Sequence, residues 1–151
     1  MTDTNPTIDD LVDKVGEPLG ESGWLDITQE RINTFADATD DHQWIHVDPE
    51  RAAEGPFGGP IAHGYLTLSL IVPLLTDMLQ VEGVSMALNY GLNKVRFPTP
   101  VPVGSKVRLK ASLAGVEEVA GGVQVLIDCL VEIDGGTKPA CADQAVYRLY
   151  R

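Results

Sequence analysis

The feature that most constrains the fold is an apolar segment in the middle of the chain, Ile61 to Gln80. When this segment is drawn as a helix, its large apolar side chains fall on nearly every side. A helix that is apolar all round is buried in a core rather than lying on a surface. Pro73 is expected to kink the helix, because proline lacks a backbone N–H and crowds the preceding turn.

The second half of the chain has the period of β-strands. The segments that alternate or run apolar are KVRFPTPV, SKVRLKASLAGVEEV, GVQVLIDCLVEID and KPACADQAVYRLY. The turn sequences PVPVG, AGG and DGG separate them, which indicates strands joined by hairpins. One buried helix followed by antiparallel strands predicts an α+β fold with the sheet wrapped around the helix. We expect a single domain over residues 1–151.

Shorter elements are predicted before residue 61. Residues 8–15 have the pattern of a short amphipathic helix, and Gly23 to Ile27 that of a first strand. Thr28 is a candidate N-cap for a helix that contains Ile32, Phe35 and Ala36. Residues 37–60 predict mostly loop, with a short helix beginning at Asp48-Pro49-Glu50.

Composition and charge exclude several classes of partner. The net charge of −11 argues against nucleic acid. The polar, acidic N-terminus does not resemble a signal peptide, and the apolar stretch Tyr65 to Leu79 is too short and polar to span a bilayer. Cys129 and Cys141 lack metal-ligand spacing and predict reduced strand residues in a cytoplasmic protein; a disulfide or a reactive thiol is the alternative.

An open antiparallel sheet has two unpaired edges. Exposed edges promote uncontrolled pairing with other chains, and pairing two copies across a two-fold axis removes the problem. We therefore expect a homodimer.

The residues suited to chemistry are concentrated between Phe35 and Leu70. Asp41 and His46 are five positions apart, and a turn between them would bring both side chains to one cavity as an acid–base pair. Alternatively, Asp41 caps a turn and His46 is a core histidine. Spacing alone does not choose between these interpretations. Other candidates by composition are Asp37, Asp40, His42 and Asp48.

A Gly/Pro-rich loop, residues 55–60, leads into the sequence IAHGY at the predicted start of the long helix. The first turn of a helix has N–H groups without intrahelical partners and the positive end of the helix dipole. Gly64 would let a substrate oxygen approach these groups closely, or would only permit tight helix–sheet packing. His63 is either structural or a polar contact near the substrate.

Basic residues cluster between positions 94 and 110, where no acid occurs. The cluster contains Lys94, Arg96, Lys106, Arg108 and Lys110. We expect Lys94 and Arg96 to share one strand face, and the other three to share a face of a neighbouring strand. Such a ribbon would suit the phosphates of coenzyme A or an acyl-carrier-protein arm. The alternative is a solvated strand face that discourages edge aggregation.

Two segments carry a family resemblance. FADATDDHQWIHVDPERAAEGPFGGPIAHGYLTLSL resembles the hydratase-2 motif of the MaoC-like (R)-specific enoyl-CoA hydratases, and NYGLNKVRFPTPVPVGSKVR resembles the strand segment that follows it. The resemblance extends from about Trp24 to Tyr150. It implies a hotdog fold, in which a curved antiparallel sheet wraps a long central helix and two copies pair into a dimer. It also implies that Asp41 is the catalytic acid/base, that His46 is its partner and that the Gly64 N–H binds the thioester oxygen.

The implied reaction is reversible hydration of trans-2-enoyl-CoA to (R)-3-hydroxyacyl-CoA. It requires no metal or redox cofactor, since coenzyme A arrives as part of the substrate. The acyl chain would lie near Tyr65, Leu66 and Leu68 or at the dimer interface. The alternatives are a 3-hydroxyacyl-ACP dehydratase of fatty-acid synthesis and a non-catalytic acyl-thioester-binding protein.

The chain departs from the family pattern at two positions. Gln43 stands where the family often has asparagine, and Val72 where many members have a serine that supports the aspartate. Neither change removes the reacting groups, but both keep the non-catalytic alternative open.

Overall fold

The computed structural model describes residues 5–151. A 3₁₀ helix, Asp9–Lys14, precedes the short strands β1 (Pro18–Glu21) and β2 (Leu25–Asp26). The helices that follow are α1 (Gln29–Thr39), α2 (Trp44–Val47), α3 (Pro49–Ala53), α4 (Gly64–Ser69) and α5 (Ile71–Met78). The long strands are β3 (Met86–Arg96), β4 (Lys106–Val119), β5 (Gly122–Ile133) and β6 (Cys141–Tyr150).

The strands form one antiparallel sheet in the order β1-β4-β5-β6-β3, with β2 also paired to β4. Alternate residues of β4 and β5 are buried against the helices, as the period of two predicts. Leu66, Ile71 and Leu74 of α4 and α5 pack in the same core as Leu109 and Ile127 of the sheet. The predicted α+β fold, a curved sheet around a central helix, is therefore confirmed, and it is the hotdog arrangement.

The central helix, formed by α4 and α5, is shorter than the predicted segment. It begins at Gly64, because Ile61 and Ala62 instead donate backbone hydrogen bonds to the carbonyls of Ile45 and Val101. Its regular pattern is interrupted at Leu70 rather than at Pro73. The cause is still the proline, which offers no N–H to the carbonyl four residues earlier and crowds it.

One side of the central helix is open to solvent in the single chain. Tyr65 is 72% exposed and Val72 is 39% exposed, whereas Leu66 and Ile71 are buried. The expectation of a helix buried on every side is therefore wrong for the isolated chain. The helix is amphipathic despite its apolar composition.

Several smaller expectations also have clear outcomes. The Thr28 hydroxyl accepts a hydrogen bond from the Arg31 N–H at 3.1 Å, which confirms the N-cap. Residues 8–15 form a 3₁₀ helix over a shorter range, and the strand predicted at Gly23 to Ile27 is only two residues long. Helix α2 lies in the segment predicted as loop.

Both cysteines are buried strand residues with free thiols. Burial raises the pKa of the Cys141 thiol to about 12 and raises that of Cys129 as well. The thiols are therefore protonated at neutral pH, in agreement with the prediction of reduced, inert cysteines.

Strand β3 is a free edge of the sheet, paired only to β6 within the described chain. Nearly all of its residues are exposed, including the large apolar side chains of Met86, Leu88, Tyr90 and Leu92. Within residues 5–151, no helix is both long enough and apolar enough to cross a membrane.

Candidate active site

The end of α1 places Asp41. Asp40 terminates the helix in the left-handed conformation with a φ of 61°, which aspartate tolerates better than most residues. The chain reverses there, and Asp41 follows as the first residue of the loop. Its carboxylate is exposed and accepts a long hydrogen bond, 3.4 Å, from the Gln43 N–H.

The competing acidic residues have other partners. Asp37 pairs with His42 at 3.0 Å on the surface, and this contact raises the pKa of His42. Asp48 caps α3 by accepting a hydrogen bond from the Arg51 N–H at 3.1 Å. These partners distinguish Asp37 and Asp48 from Asp41 as candidates for the acid/base, which spacing alone did not do.

His46 is buried in α2 and held by its backbone and its ring. Its carbonyl accepts a hydrogen bond from the Gln29 side chain at 2.8 Å, and its Nδ1–H donates to the Ile61 carbonyl at 2.7 Å. Because a carbonyl only accepts, the ring proton is on Nδ1, and Nε2 keeps its lone pair. Burial lowers the pKa of His46, although the hydrogen bond to Ile61 partly opposes this effect. His46 is therefore a neutral hydrogen-bond acceptor at Nε2.

His63, the N-cap residue of α4, contacts both Asp41 and His46. Its Nε2–H donates to the backbone carbonyl of Asp41 at 2.9 Å, and its ring stacks on His46 with the centroids 3.9 Å apart. Phe35 contacts its ring as well, at a centroid distance of 4.8 Å. Only 2% of His63 is exposed, and Nδ1 has no hydrogen-bond partner among residues 5–151. This burial favours the structural alternative for His63 over a direct contact with substrate.

The three side chains form a compact cluster. A carboxylate oxygen of Asp41 and one ring nitrogen of each histidine lie within 4.8 Å of one another. Two acceptors at this separation can share one water molecule, because each O–H···O or O–H···N bond spans about 2.8 Å. The prediction that a turn brings Asp41 and His46 to one place agrees with this geometry.

The same cluster is poorly arranged to chelate a metal ion. The lone pair of an imidazole nitrogen lies in the plane of its ring. The two rings are stacked, with an interplanar angle of 24° and a centroid distance of 3.9 Å. Rings that are nearly parallel have planes that intersect only far from the rings. An ion aligned with one ring would therefore lie well out of the plane of the other.

Gly64 begins α4, so the helix offers no acceptor for its N–H. A Cβ atom at this position would lie 3.1 Å from the Phe97 ring, which confirms that the glycine permits tight packing. Phe97 also contacts the exposed Tyr65 edge to face, with the centroids 6.2 Å apart. Tight packing at Gly64 is compatible with hydrogen-bond donation by its N–H to a substrate oxygen.

The sheet places the basic residues on strands that are not adjacent, although Lys94, Arg96 and Lys110 line one open cavity. Strands β3 and β4 are not neighbours, because β5 and β6 lie between them, so the expected neighbouring-strand ribbon is wrong. Arg108 bridges Glu21 and Glu132 at 3.2 and 2.8 Å and stacks on Trp24. Lys106 is on β4 as well.

Lys94 and Arg96 form no salt bridge within the described chain. They lie at the end of β3 that leads to Phe97 and hence to Gly64. Lys94 and Arg96 are therefore the predicted phosphate-binding residues whose strand ends beside the candidate site.

An apolar cavity of about 320 Å³, which sequence reasoning missed, lies between α5 and the sheet. Its lining includes Val72, Leu75, Leu79, Tyr147 and Leu149. A smaller cavity beside Leu68 shares Val72 and Tyr147 with it. Leu66, in contrast, is buried in the core and lines neither cavity, so its predicted contact with an acyl chain is not supported.

Comparison with known proteins places this fold and site in a family. Residues 10–132 match the model described as MaoC like domain. The 3-hydroxyacyl-thioester dehydratase Z of Mycobacterium tuberculosis is 56% identical over 146 residues, which cover 96% of this chain and 97% of that protein. Among solved structures, a monoamine oxidase regulatory protein from Archaeoglobus fulgidus has a TM-score of 0.80 at 25% identity and covers 100% of this chain and 99% of its own. The (R)-hydratase of Aeromonas caviae has a TM-score of 0.71 at 27% identity, covering 86% of this chain and 95% of its own.

The chain belongs to the MaoC-like dehydratase domain family, as its hydratase-2 motif indicated. It is a hydro-lyase with the hotdog fold of that family.

Proposed function

We propose that the chain is a 3-hydroxyacyl-thioester dehydratase, which forms a trans-2-enoyl thioester and water and also catalyses the reverse hydration. The supporting observation is the cluster of Asp41 and His46, within 4.8 Å of each other and beside the start of α4. The sequence motif alone favoured the hydratase direction. The 56% identical mycobacterial dehydratase favours the direction that stood as the alternative, although a catalyst accelerates both directions of one reaction.

The tautomer of His46 determines how water is held in this proposal. Water donates one hydrogen to the bare Nε2 of His46 and the other to the Asp41 carboxylate, so an oxygen lone pair is left to attack C3. Asp41 takes up the proton as the C3–O bond forms and then returns it to C2. The proton of His46 is committed to Ile61, so a neutral His46 has none to deliver to C2. A positioned acid–base group of this kind contributes about 10²–10⁴-fold to the rate.

Gly64 has the electrostatic role in the proposal. Negative charge develops on the thioester oxygen while C2 carries carbanion character. The Gly64 N–H would stabilise that oxygen, as a donor of an oxyanion hole does. No electrons are transferred, so the reaction needs no redox cofactor. The remainder of the thioester carrier, such as coenzyme A, is part of the substrate.

The substrate would extend from this site in two directions. We propose that the acyl chain occupies the apolar cavity along α5, because burial of each CH₂ group there is worth about 0.8 kcal/mol. We propose that Lys94 and Arg96 bind phosphates of the carrier. Among residues 5–151 neither forms a salt bridge with an acid, and their strand is followed by Phe97, whose ring packs beside Gly64.

We further propose a homodimer formed by β3. Its free edge and exposed apolar side chains would be covered if two copies paired β3 with β3 across a two-fold axis. This pairing would also bring a second chain near the exposed Tyr65 and Val72 of the central helix. A cytoplasmic location, inferred from the reduced cysteines, is part of the same proposal.

The test is spectrophotometric hydration of crotonyl-CoA and longer enoyl-CoA esters, with chiral analysis of the product. Asp41→Asn and His46→Gln should each lower kcat by orders of magnitude while the far-UV circular dichroism spectrum stays unchanged. His42→Gln is the matched control, because His42 is an exposed histidine in the same loop. Wild-type rates in either site variant would contradict the assignment.

The remaining alternatives have distinct outcomes in the same assay. Equal activity on coenzyme A and acyl-carrier-protein thioesters would leave the enzyme class intact and define its carrier range. Binding of an enoyl thioester without any loss of its absorbance would identify a non-catalytic binder.

A further inference from the structure

We infer that His63 is a positioning residue that holds Asp41 and His46 in register and does not itself contact the substrate. This inference rests on the proposed function. It develops the structural alternative for His63 and sets aside the alternative of a polar contact with the substrate.

The contacts form a reciprocal brace between two chain segments. His46, from residues 41–46, donates its Nδ1–H to the carbonyl of Ile61 at 2.7 Å. His63, from residues 61–63, donates its Nε2–H to the carbonyl of Asp41 at 2.9 Å. The two rings then stack against each other. Each segment therefore supplies one imidazole and one carbonyl, and the brace holds both reacting residues.

Asp41 depends on this brace more than His46 does. It lies in a loop, and the hydrogen bond to its side chain from Gln43 is long, 3.4 Å. The backbone of Asp41 is held by His63 across 22 positions in the chain. Loss of that bond would let the carboxylate move relative to the water that it shares with His46. A displacement of about 1 Å can lower a rate by about 100-fold.

The brace requires a hydrogen on Nε2 of His63. Its Nε2 carries the hydrogen that Asp41 accepts, so Nδ1 is bare in the neutral ring. Nδ1 is buried and has no partner, so a proton placed there would have no acceptor in the described chain. An imidazole is the side chain that both donates at this point and presents a ring face to His46.

Two variants test the inference, because each keeps only one of the two properties of His63, the hydrogen-bond donor or the ring. His63→Phe keeps a ring for stacking but loses the donor, and His63→Gln keeps an N–H near the position of Nε2 but loses the ring. We expect His63→Phe to lower kcat about 10- to 100-fold with KM changed by less than about 3-fold, and His63→Gln to recover most of kcat. His42→Gln is the surface control, and thermal unfolding monitors the fold. Equal losses in the two variants, or a loss expressed in KM, would overturn the positioning role.

A measurement on the wild-type protein does not depend on how the variants fold. The chain has three histidines, so ¹⁵N–¹H correlation spectra of the imidazoles, assigned with His42→Gln, report each tautomer. We expect His63 to carry a proton on Nε2, and His46 to be neutral with its proton on Nδ1. A His63 protonated on Nδ1 alone overturns the brace, because its Nε2 would then have no hydrogen for the Asp41 carbonyl. If instead the tautomers are as expected but no enoyl thioester is hydrated, the proposed function fails and the brace stands as architecture.

Discussion

His46 and His63 lie face to face although 17 positions separate them, with ring centroids 3.9 Å apart. Each ring donates its single N–H to a backbone carbonyl of the other's segment. The hydrogen bond from Nδ1 to Ile61 therefore leaves His46 Nε2 as the acceptor available to water. Its protonation state has measurable consequences.

The first prediction concerns the acid limb of the pH profile. Burial lowers the pKa of His46 below its ordinary value of 6.5, so kcat/KM should fall on acidification with a midpoint below 6.5. Stability should follow the same direction. The unfolded chain binds this proton more readily than the folded chain, so the free energy of unfolding decreases as the pH falls through 6.5. His46→Gln should flatten this part of the stability curve, and an activity midpoint above 6.5 would be inconsistent with a neutral, buried ring.

The pH dependence of stability that Asp143 causes has the opposite sign to that of His46. It is 7% exposed on β6, and burial raises its pKa from 3.8 to about 6. The folded state then binds the proton more tightly, so the stability that Asp143 contributes is present below pH 3.8 and is lost as the pH rises through about 6. The difference corresponds to at most about 3 kcal/mol. Asp143→Asn should remove this slope in urea unfolding measured from pH 4 to 7, with Asp134→Asn as the exposed control.

Gly64 allows its two roles to be separated. Gly64→Ala should lower both stability and kcat, because the new methyl group meets the Phe97 ring at 3.1 Å and stands beside the N–H. Adding Phe97→Leu should restore the melting temperature. If close approach of substrate is the role, the double variant stays inactive. Recovery of kcat together with stability would assign Gly64 to packing alone.

If Lys94 and Arg96 bind phosphates, the effect of removing them on KM should depend on the thioester carrier. Alanine at both positions should raise KM for an enoyl-CoA by about 10-fold, the loss of one or two charge-assisted contacts. The same variant should leave KM unchanged for an enoyl thioester of pantetheine, which lacks the nucleotide phosphates. Arg108→Ala, whose guanidinium is paired with Glu21 and Glu132, is the control for a change in overall charge.

Strand β3 predicts a two-fold interface. Leu88→Lys or Leu92→Lys should shift the protein to a smaller species in analytical ultracentrifugation, since a charge would be placed in the paired edge. Leu130→Lys is a matched control, because Leu130 is similarly exposed, 43%, but lies on β5 in the interior of the sheet. A sedimentation coefficient unchanged by the β3 variants would remove β3 from the interface.

Local sequence patterns predicted the element types well where one segment decided its own structure. The period of two in β4 and β5 and the Thr28 cap are examples, because neighbouring residues determine them. The late start of the central helix at Gly64 and the shortened strand β2 depend on backbone partners elsewhere in the chain, which local patterns do not contain. The order of strands, which separates Lys94 from Arg108, is likewise a property of the whole sheet.

The candidate site shows the same division. The hydratase-2 motif identified Asp41, His46 and Gly64 as candidates. It did not indicate which nitrogen of His46 is free or what His63 contacts, because both follow from hydrogen bonds that span 15 and 22 positions. The apolar cavity was missed for a related reason, since its walls come from α5 and several strands at once.

The two buried sulfur atoms provide a built-in reporter. Alkylating reagents attack the thiolate, and neither Cys129 nor Cys141 is accessible or ionised in the folded chain. Labelling by iodoacetamide will therefore proceed only when β5 and β6 open, and its rate will measure how often the middle of the sheet unfolds without any added dye or engineered probe.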